Sequence, residues 1–443
     1  MKLSDCIKHN KKFDVVVVGG GVAGFAAAVA SARNGARTAL VEDQGALGGI
    51  LTLGGNPEIG IFYAYKKQAI AGIGWELCKR LEKQGFADIP DFSVVDTREG
   101  CSKSNVKVNP VMAQVEMNRM CLEAGVKLFF HTKVIAADLE ENRIKRVIAA
   151  EKCGLVGFEA DVFIDCTGDG DVAKVSGAEM YVSKELQPGT YAYTFKCNNL
   201  SELNDKELRA DFNKCKENGT IKHGDFWPEF HSTILGFFRG GGNNANHIDM
   251  DYSTAEGQTK AEIDGREAMA RMINFAEEHA DITLFSAAAY TTPRETKRIV
   301  CDYTITIPDF MSGKIFEDSL AYGYYNMDLH TSSNTDGSRP FELDPEYEKL
   351  PDGVVPTIPL KAQTVKGIYN LLTAGRCISG VREVLGALRV KCPCMSGGEA
   401  VGTVAALTKD GNVRGVDIEE VKKALRKNGA IVPDSSIFKP IGE

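Results

Sequence analysis

Long apolar runs are missing from this 443-residue chain; none approaches the roughly 18 to 20 residues that a membrane-spanning helix requires. Residues 1–12 are polar, carry Lys2, Lys8, Lys11 and Lys12, and hold no apolar leader core, so the expected location is cytoplasmic. Positive charge is also short. With 52 Lys and Arg against 60 Asp and Glu, the formal net charge is -8. Nothing then draws the chain generally to phosphate backbones, and neither nucleic acid nor an anionic membrane is an expected partner. Redox-type cysteine pairs are lacking too: the 12 cysteines are scattered, with no CxxC or CxxxxC pair and one close pair alone. That argues against disulfide-reductase and iron–sulfur chemistry, and for reduced thiols. Cys392 and Cys394 stand one residue apart, a spacing of neither a zinc knuckle nor a redox pair, and read as packing thiols. No metal site is expected.

What is present begins with a core. Hydrophobic residues make up 43% of the chain, enough for two or three domain-sized units whose segments can be separated in sequence. The β-branched run Phe13-Asp14-Val15-Val16-Val17-Val18 reads as a buried parallel strand feeding the turn Gly19-Gly20-Gly21-Val22-Ala23-Gly24. Small residues from Ala23 to Ala30 then favour a closely packed helix, which Gly35 stops, and residues 37–41 read as a second strand. Gly19, Gly21 and Gly24 thus stand at GxGxxG spacing between strand and helix, and Glu42 follows at close to the ~20-residue distance of the dinucleotide fingerprint. Gly19 permits the tight turn, Gly21 lets backbone approach a pyrophosphate, and Gly24 lets helix meet strand. The helix start offers free N–H groups and a positive dipole end, and the Glu42 carboxylate accepts from ribose hydroxyls. No second unit of this kind follows: Gly240-Gly241-Gly242 leads into Asn243-Asn244, so a built-in NAD(P)H domain is not expected.

Further along, residues 43–55 read as a glycine-rich loop against a ligand. Residues 111–124 fit a helix, with Val111, Val115, Met120 and Leu122 available for burial. Residues 126–130, 134–139, 143–150 and 157–159 alternate as a small β-meander. Residues 161–166 form another buried strand, ending in Thr167-Gly168-Asp169. Residues 181–360 carry most of the aromatics and a polar helix at 256–279, and are expected to form a substrate-side α+β domain, with an irregular surface loop at 331–353. Residues 367–376 return as a strand ending in glycine, and a glycine-opened helix is expected at 397–407. The expected division is 1–180, 181–360, 361–410 and a C-terminal helical tail at 411–443.

A GxGxxG turn alone does not separate FAD from NAD. The Gly48-Gly49 loop, the strand end Asp165-Cys166-Thr167-Gly168-Asp169, and the Thr373-Ala374-Gly375-Arg376 strand leading to Gly397-Gly398 together resemble the FAD-dependent oxidoreductases whose FAD domain is of the glutathione-reductase type. More narrowly, Pro293-Arg294-Glu295-Thr296-Lys297-Arg298-Ile299, Asn326-Met327-Asp328-Leu329-His330, Ala374-Gly375-Arg376-Cys377-Ile378-Ser379, Arg382-Glu383-Val384-Leu385-Gly386-Ala387-Leu388-Arg389-Val390 and Cys394-Met395-Ser396-Gly397-Gly398-Glu399-Ala400-Val401-Gly402 look like the bacterial branch labelled only FAD-dependent oxidoreductase. The resemblance covers roughly residues 13–410. The chain departs from the family's RETRR-like run at Lys297, whose ammonium does not reproduce a bidentate guanidinium fork.

The resemblance implies a discontinuous FAD-binding Rossmann domain, α/β in class, with an inserted substrate domain. By it, Gly19, Gly21, Val22, Ala23 and Gly24 hold the pyrophosphate and Glu42 the adenosine ribose. Gly48, Gly49 and Thr52 line the flavin side, Val134 presents backbone to adenine, and Gly168 passes near the cofactor. Gly375 and Arg376 meet the ribityl or phosphate portion, and Gly397 and Gly398 open a helix aimed at the flavin pyrimidine.

Flavin carries the redox step, so the protein must orient substrate, move protons and control solvent. Candidate proton-handling groups are His223, His231, His247, His330, Tyr290, Tyr303 and Glu295. His330 is preferred, because it ends the family-like Asn326–His330 stretch and an imidazole takes a hydroxyl proton near neutral pH. Arg294 and Arg382 are candidates to bind an anionic or polyhydroxyl substrate or to compensate a reduced flavin; the alternative is structural pairing with Glu295 and Glu383. The favoured reading is a dehydrogenase or oxidase of a small hydroxyl- or amine-bearing substrate. The others are a reductase of an activated C=C bond and a flavin subunit of an electron-transfer complex. Expected partners are a small-molecule substrate and an unidentified electron donor or acceptor, with a homo-oligomer left open.

Overall fold

A computed structural model describes residues 7–95, 101–184, 186–227, 233–330 and 349–442. Its centre is a five-stranded, wholly parallel sheet. In chain order the elements that matter here are β1 (Val15–Val18), α1 (Val22–Arg33), β2 (Thr38–Val41), α2 (Pro110–Ala124), β3 (Lys127–Phe129), β4 (Val162–Asp165), β5 (Leu371–Thr373) and α3 (Lys391–Leu407). Spatially the strands run β5-β4-β1-β2-β3. The mixed α/β class with a parallel sheet is therefore the architecture of this chain.

Both faces of the sheet are covered, which is why β1 is a continuous valine run rather than an alternating one. Val15 and Val17 face a core built with α1 and α3, while Val16 and Val18 face a second core shared with Val134, Val147, Val156 and Phe158. All four valines are buried, and each such side chain contributes roughly 1.5 kcal/mol or more of burial. The second core lies under a four-stranded sheet of Ile7–Lys12, Gly154–Glu159, Arg143–Glu151 and Lys133–Glu140.

On the other face α1 and α3 lie against one another. A Cβ added to Gly398 would fall 2.2 Å from the Ala23 carbonyl oxygen, and one added to Gly402 would fall 2.2 Å from that of Ala27. These two glycines, one helical turn apart, are what lets the backbones approach so closely.

Several local expectations are corrected. Lys127–Phe129 belongs to the central parallel sheet, paired with Thr38–Val41, and not to the meander; the polar stretch Ile7–Lys12 takes an edge position there instead, parallel to Gly154–Glu159. On α2, Val111 and Leu122 are exposed, and Ala113, Glu116, Met117, Met120 and Cys121 are buried. Residues 181–360 divide in packing. Tyr193–Cys197, Asp205–Glu217, Ile234–Gly240 and Ala255–His279 share an aromatic core of their own, whereas Ile305, Phe310, Tyr322, Ile358 and Leu360 join the core of α1 and α3. The loop expected at 331–353 lies for the most part outside the described residues. No helix among the described residues is long and apolar enough to cross a membrane.

Candidate functional site

The carboxyl ends of β1, β2, β4 and β5 converge on a cleft of about 710 Å³. A crevice at strand ends is where open parallel sheets bind ligands. Its wall is laid down by four turns: Gly19 to Ala23 after β1, Glu42 after β2, Cys166 to Asp169 after β4, and Gly375 with Arg376 after β5.

The three fingerprint glycines are glycine for different reasons. Gly19 sits at φ 96°, and a Cβ there would lie 2.5 Å from the Cys166 carbonyl oxygen. Gly24 would place a Cβ 1.8 Å from the Gly19 carbonyl oxygen, so it serves the packing of α1 on its own turn. Gly21 is different: its φ is an ordinary -61° at the N-cap of α1, and no protein atom lies within 4 Å of the position its Cβ would take. Folding does not require glycine there. The space that a side chain would fill is the cleft itself, beside the unpaired N–H groups of the α1 N-terminus, and this is what a pyrophosphate needs.

Glu42 lines the cleft and is held in place by its neighbours: one carboxylate oxygen accepts from Gly20 N–H and the other from Gln44 N–H at 2.8 Å. Burial first, and the adjacent Asp43 second, push this carboxyl up to about 7. The β4 turn is braced from beneath by Asp165, which is fully buried, accepts from Thr167 N–H, Thr167 Oγ1 and Ala173 N–H, and is raised by burial to about 6. Arg376 pairs with Asp169 at 2.8 Å and donates to Thr296 Oγ1 at 3.2 Å. Gly48, Gly49, Val134 and Gly168 also line the cleft.

Four expected cofactor residues do not line it. Gly24 and Gly398 are packing glycines, as above. Thr52 Oγ1 donates to the Leu47 carbonyl at 2.6 Å and shapes the Gly48-Gly49 loop from behind. Gly397 lies within α3, its carbonyl accepting from Gln363 Nε2 at 3.2 Å. The expectation that Gly397 and Gly398 open the helix is corrected: α3 begins at Lys391 after the N-cap Val390. Pro393 marks that beginning, since the first helical turn needs no N–H of its own. The end of α3 that meets the cleft is thus Lys391 to Cys394. Cys392 and Cys394 are buried there as free thiols.

A second cavity, of about 210 Å³, adjoins the first and shares Ile50, Thr292, Arg294, Arg389 and Lys391 with it. His330 and Asp328 line it as well. His330 Nε2 lies 3.2 Å from Asp328 Oδ2 and Nδ1 lies 3.0 Å from His247 Nε2. Because the carboxylate only accepts, Nε2 carries the proton and Nδ1 takes the His247 N–H. Burial, followed by the nearby Arg294, holds the imidazole down to about 4, while His330 and Arg389 hold the Asp328 carboxyl far below its usual range. His247 is in turn stacked on Trp227, with ring centroids 4.5 Å apart.

Arg294 is buried at the junction of the two cavities and donates to the Pro188 carbonyl and to Asn244 Oδ1, each at 2.8 Å. Arg382 lines neither cavity; its Nε pairs with Glu295 Oε2 at 3.1 Å, both side chains buried. Among the other proton-handling candidates, Tyr290 lines the large cleft, Tyr303 donates to Asp309, and His223 is exposed. His231 lies outside the described residues.

Two residues with a strong claim on the junction were not singled out in the sequence. Arg389 Nη2 donates to the Asp328 carbonyl at 2.8 Å, and Lys391 Nζ donates to the Glu58 carbonyl at 2.7 Å, its amine brought down to about 8 by burial. Their signal was the position of Pro393, which places Lys391 at the start of α3 and Arg389 just before it. Among the described residues no group of three His, Cys, Asp or Glu is placed to hold a metal.

Sheet, glycine turn and paired cavities define an α/β protein with a ligand cleft at the carboxyl ends of its parallel strands. Residues 14–425 match the FAD dependent oxidoreductase family, and the chain belongs to it. That family is one of FAD-dependent oxidoreductases, and FAD is the cofactor of this chain. Over 93 residues it is 37% identical to a tRNA uridine 5-carboxymethylaminomethyl modification enzyme, MnmG, of Sulfurihydrogenibium sp. (strain YO3AOP1), a match spanning 21% of this chain and 14% of that relative. Among solved structures it is similar to a geranylgeranyl bacteriochlorophyll reductase-like protein of Thermoplasma acidophilum, at 10% identity, with 94% and 84% of the two chains covered and a TM-score of 0.45. It is also similar to L-proline dehydrogenase from P. horikoshii, at 14% identity, with 95% and 99% covered and a TM-score of 0.40.

Proposed function

We propose that the chain is a dehydrogenase or oxidase of a small hydroxyl- or amine-bearing substrate, built on a discontinuous FAD domain of the glutathione-reductase type. The sheet supports the domain reading, since β5 joins β4 across some two hundred intervening residues. The 710 Å³ cleft is the FAD site, with Gly19, Gly21, Val22 and Ala23 at the pyrophosphate, Glu42 at the adenosine ribose and Val134 at adenine. Gly168, Gly375 and Arg376 flank the ribityl chain, and Gly48 and Gly49 the flavin; Gly24, Thr52, Gly397 and Gly398 act by shaping that wall. Bound FAD supplies a two-electron acceptor that takes hydride at N5.

The observation that carries the reading is the adjacency of the 210 Å³ cavity, which shares Arg294, Arg389 and Lys391 with the FAD cleft and contains His330. The chain's own task is to take the hydroxyl or amine proton. His330 is neutral above its depressed pKa, and Asp328 fixes its Nε2–H, leaving Nδ1 as the accepting atom once the substrate proton replaces the His247 N–H. A second reading, reduction of an activated C=C bond, is favoured by Lys391, whose lowered pKa suits it to proton donation.

Anaerobic mixing of the holoenzyme with small hydroxy acids, alcohols and amines tests the choice. The dehydrogenase reading expects bleaching of the oxidised flavin absorbance by at least one of them. Bleaching by none, with rapid reoxidation of the reduced enzyme by enoates, establishes the reductase instead.

A further inference from the structure

The charges around the 210 Å³ cavity do not cancel. Three cationic side chains line it, Arg294, Arg389 and Lys391, against the carboxylates of Asp328 and Glu58. Asp328 is already shared: its Oδ2 lies 3.2 Å from His330 Nε2 and 3.6 Å from Arg389 Nη2. Glu58 Oε2 accepts from Asn105 Nδ2 at 3.0 Å.

Arg294 is the one left over. It is 7% exposed, and no carboxylate among the described residues lies within ion-pair distance of it. The two bonds it donates go to neutral oxygens of Pro188 and Asn244, out of the five N–H groups a guanidinium carries. A buried guanidinium without an anionic partner is costly, and burial and Arg389 together bring its pKa down to about 9. Nearby, the buried Nε of Arg389 has no hydrogen-bond acceptor.

We propose that the substrate of this cavity carries a carboxylate, seated on Arg294 with Arg389 beside it, so that the oxidisable group lies next to that carboxylate, as in a small 2-hydroxy or 2-amino acid. This rests on the dehydrogenase reading for the oxidisable group, but the carboxylate seat stands on the charge arrangement alone. A planar guanidinium fork matches a carboxylate in two parallel bonds, which an ammonium does not reproduce. Pro188 and Asn244 take one N–H each from Nη1 and Nη2, leaving three of the five guanidinium N–H groups for a ligand.

The test is titration of the oxidised holoenzyme, where no reduced ring needs a counter-charge, with acetate, propionate and propionamide, reading the flavin absorbance. Saturable perturbation by the two carboxylates and none by propionamide is expected from the unaltered protein. Arg294→Gln is expected to weaken propionate by about tenfold or more, and Arg294→Lys to recover part of the loss. Equal binding of propionate and propionamide, or no binding of either, overturns the proposal, and this comparison needs no variant to fold. Should propionate bind through Arg294 while no 2-hydroxy or 2-amino acid bleaches the flavin, the carboxylate seat stands and the dehydrogenase reading fails.

Discussion

His330 Nδ1 and His247 Nε2 lie 3.0 Å apart, and the second ring stacks on Trp227, so the Nδ1 lone pair receives the His247 N–H. Opposite, Asp328 secures the other nitrogen. The imidazole is therefore oriented before any substrate arrives.

His330→Ala is expected to slow flavin reduction by substrate about a hundredfold or more, the usual scale of general-base catalysis. FAD content should be unchanged, because His330 does not line the large cleft. The pH profile carries the sign. A base held down to about 4 stays neutral through the physiological range, so the limiting rate should be flat from about pH 8 to 5 and fall only as pH approaches 4. Stability follows the same linkage: the unfolded chain binds a proton here below its ordinary 6.5 and the folded one does not, so stability is lost as pH falls from 6.5 toward 4. A limiting rate that halves near pH 6.5 instead would remove His330 from this role.

Glu42 gives a pH dependence of the opposite placement. Its carboxyl is raised to about 7, and ribose hydroxyls donate best to the ionised form. FAD binding should therefore tighten as pH rises through 7 and level off above it. Fluorescence titration of apoprotein between pH 6 and 8 measures this, and Glu42→Gln should flatten the curve and weaken binding above pH 7. Between 4.5 and 7 the folded apoprotein binds the extra proton, so its own stability declines over that interval. A pH-independent FAD affinity in the unaltered protein would contradict the ribose assignment.

Much of the nucleotide-side wall was legible in the sequence because its constraints are local. Gly19, Gly21 and Gly24 sit within one turn, and β1, its helix and Glu42 follow directly, so spacing alone carries the geometry. The 210 Å³ cavity is otherwise. It draws Glu58, Asn105, Asn244, Asp328 and Lys391 from far-apart segments, and only tertiary packing sets which of them meet. The same holds for Arg382: its partner Glu295 was visible as a candidate, but the choice between partner and cavity is made by the surrounding core. The start of α3 was misplaced because two mid-helix glycines resemble a helix opening, when their glycine character serves the contact with α1.

That contact gives a stability prediction. Gly402→Ala drives a methyl group to 2.2 Å from the Ala27 carbonyl oxygen and must push two buried helices apart. A loss of about 1–3 kcal/mol in urea unfolding is expected, as for overpacked cores. Gly35→Ala is the contrast. It has open space around it but a φ of 97°, so its cost should be near 1 kcal/mol and purely conformational. Equal costs at the two positions would mean that the helix contact yields more easily than its spacing implies.

The most direct measurement concerns Gly21, the fingerprint glycine that the fold itself does not need. Gly21→Ala should leave the unfolding free energy of the apoprotein within about 1 kcal/mol of the unaltered chain, since φ is ordinary and no protein atom lies within 4 Å of the new methyl. FAD affinity, measured on the same preparations by fluorescence titration, should fall by about tenfold or more as that methyl enters the pyrophosphate space. Retention of full FAD affinity in a stably folded Gly21→Ala protein would place the pyrophosphate elsewhere and contradict the account of the cleft.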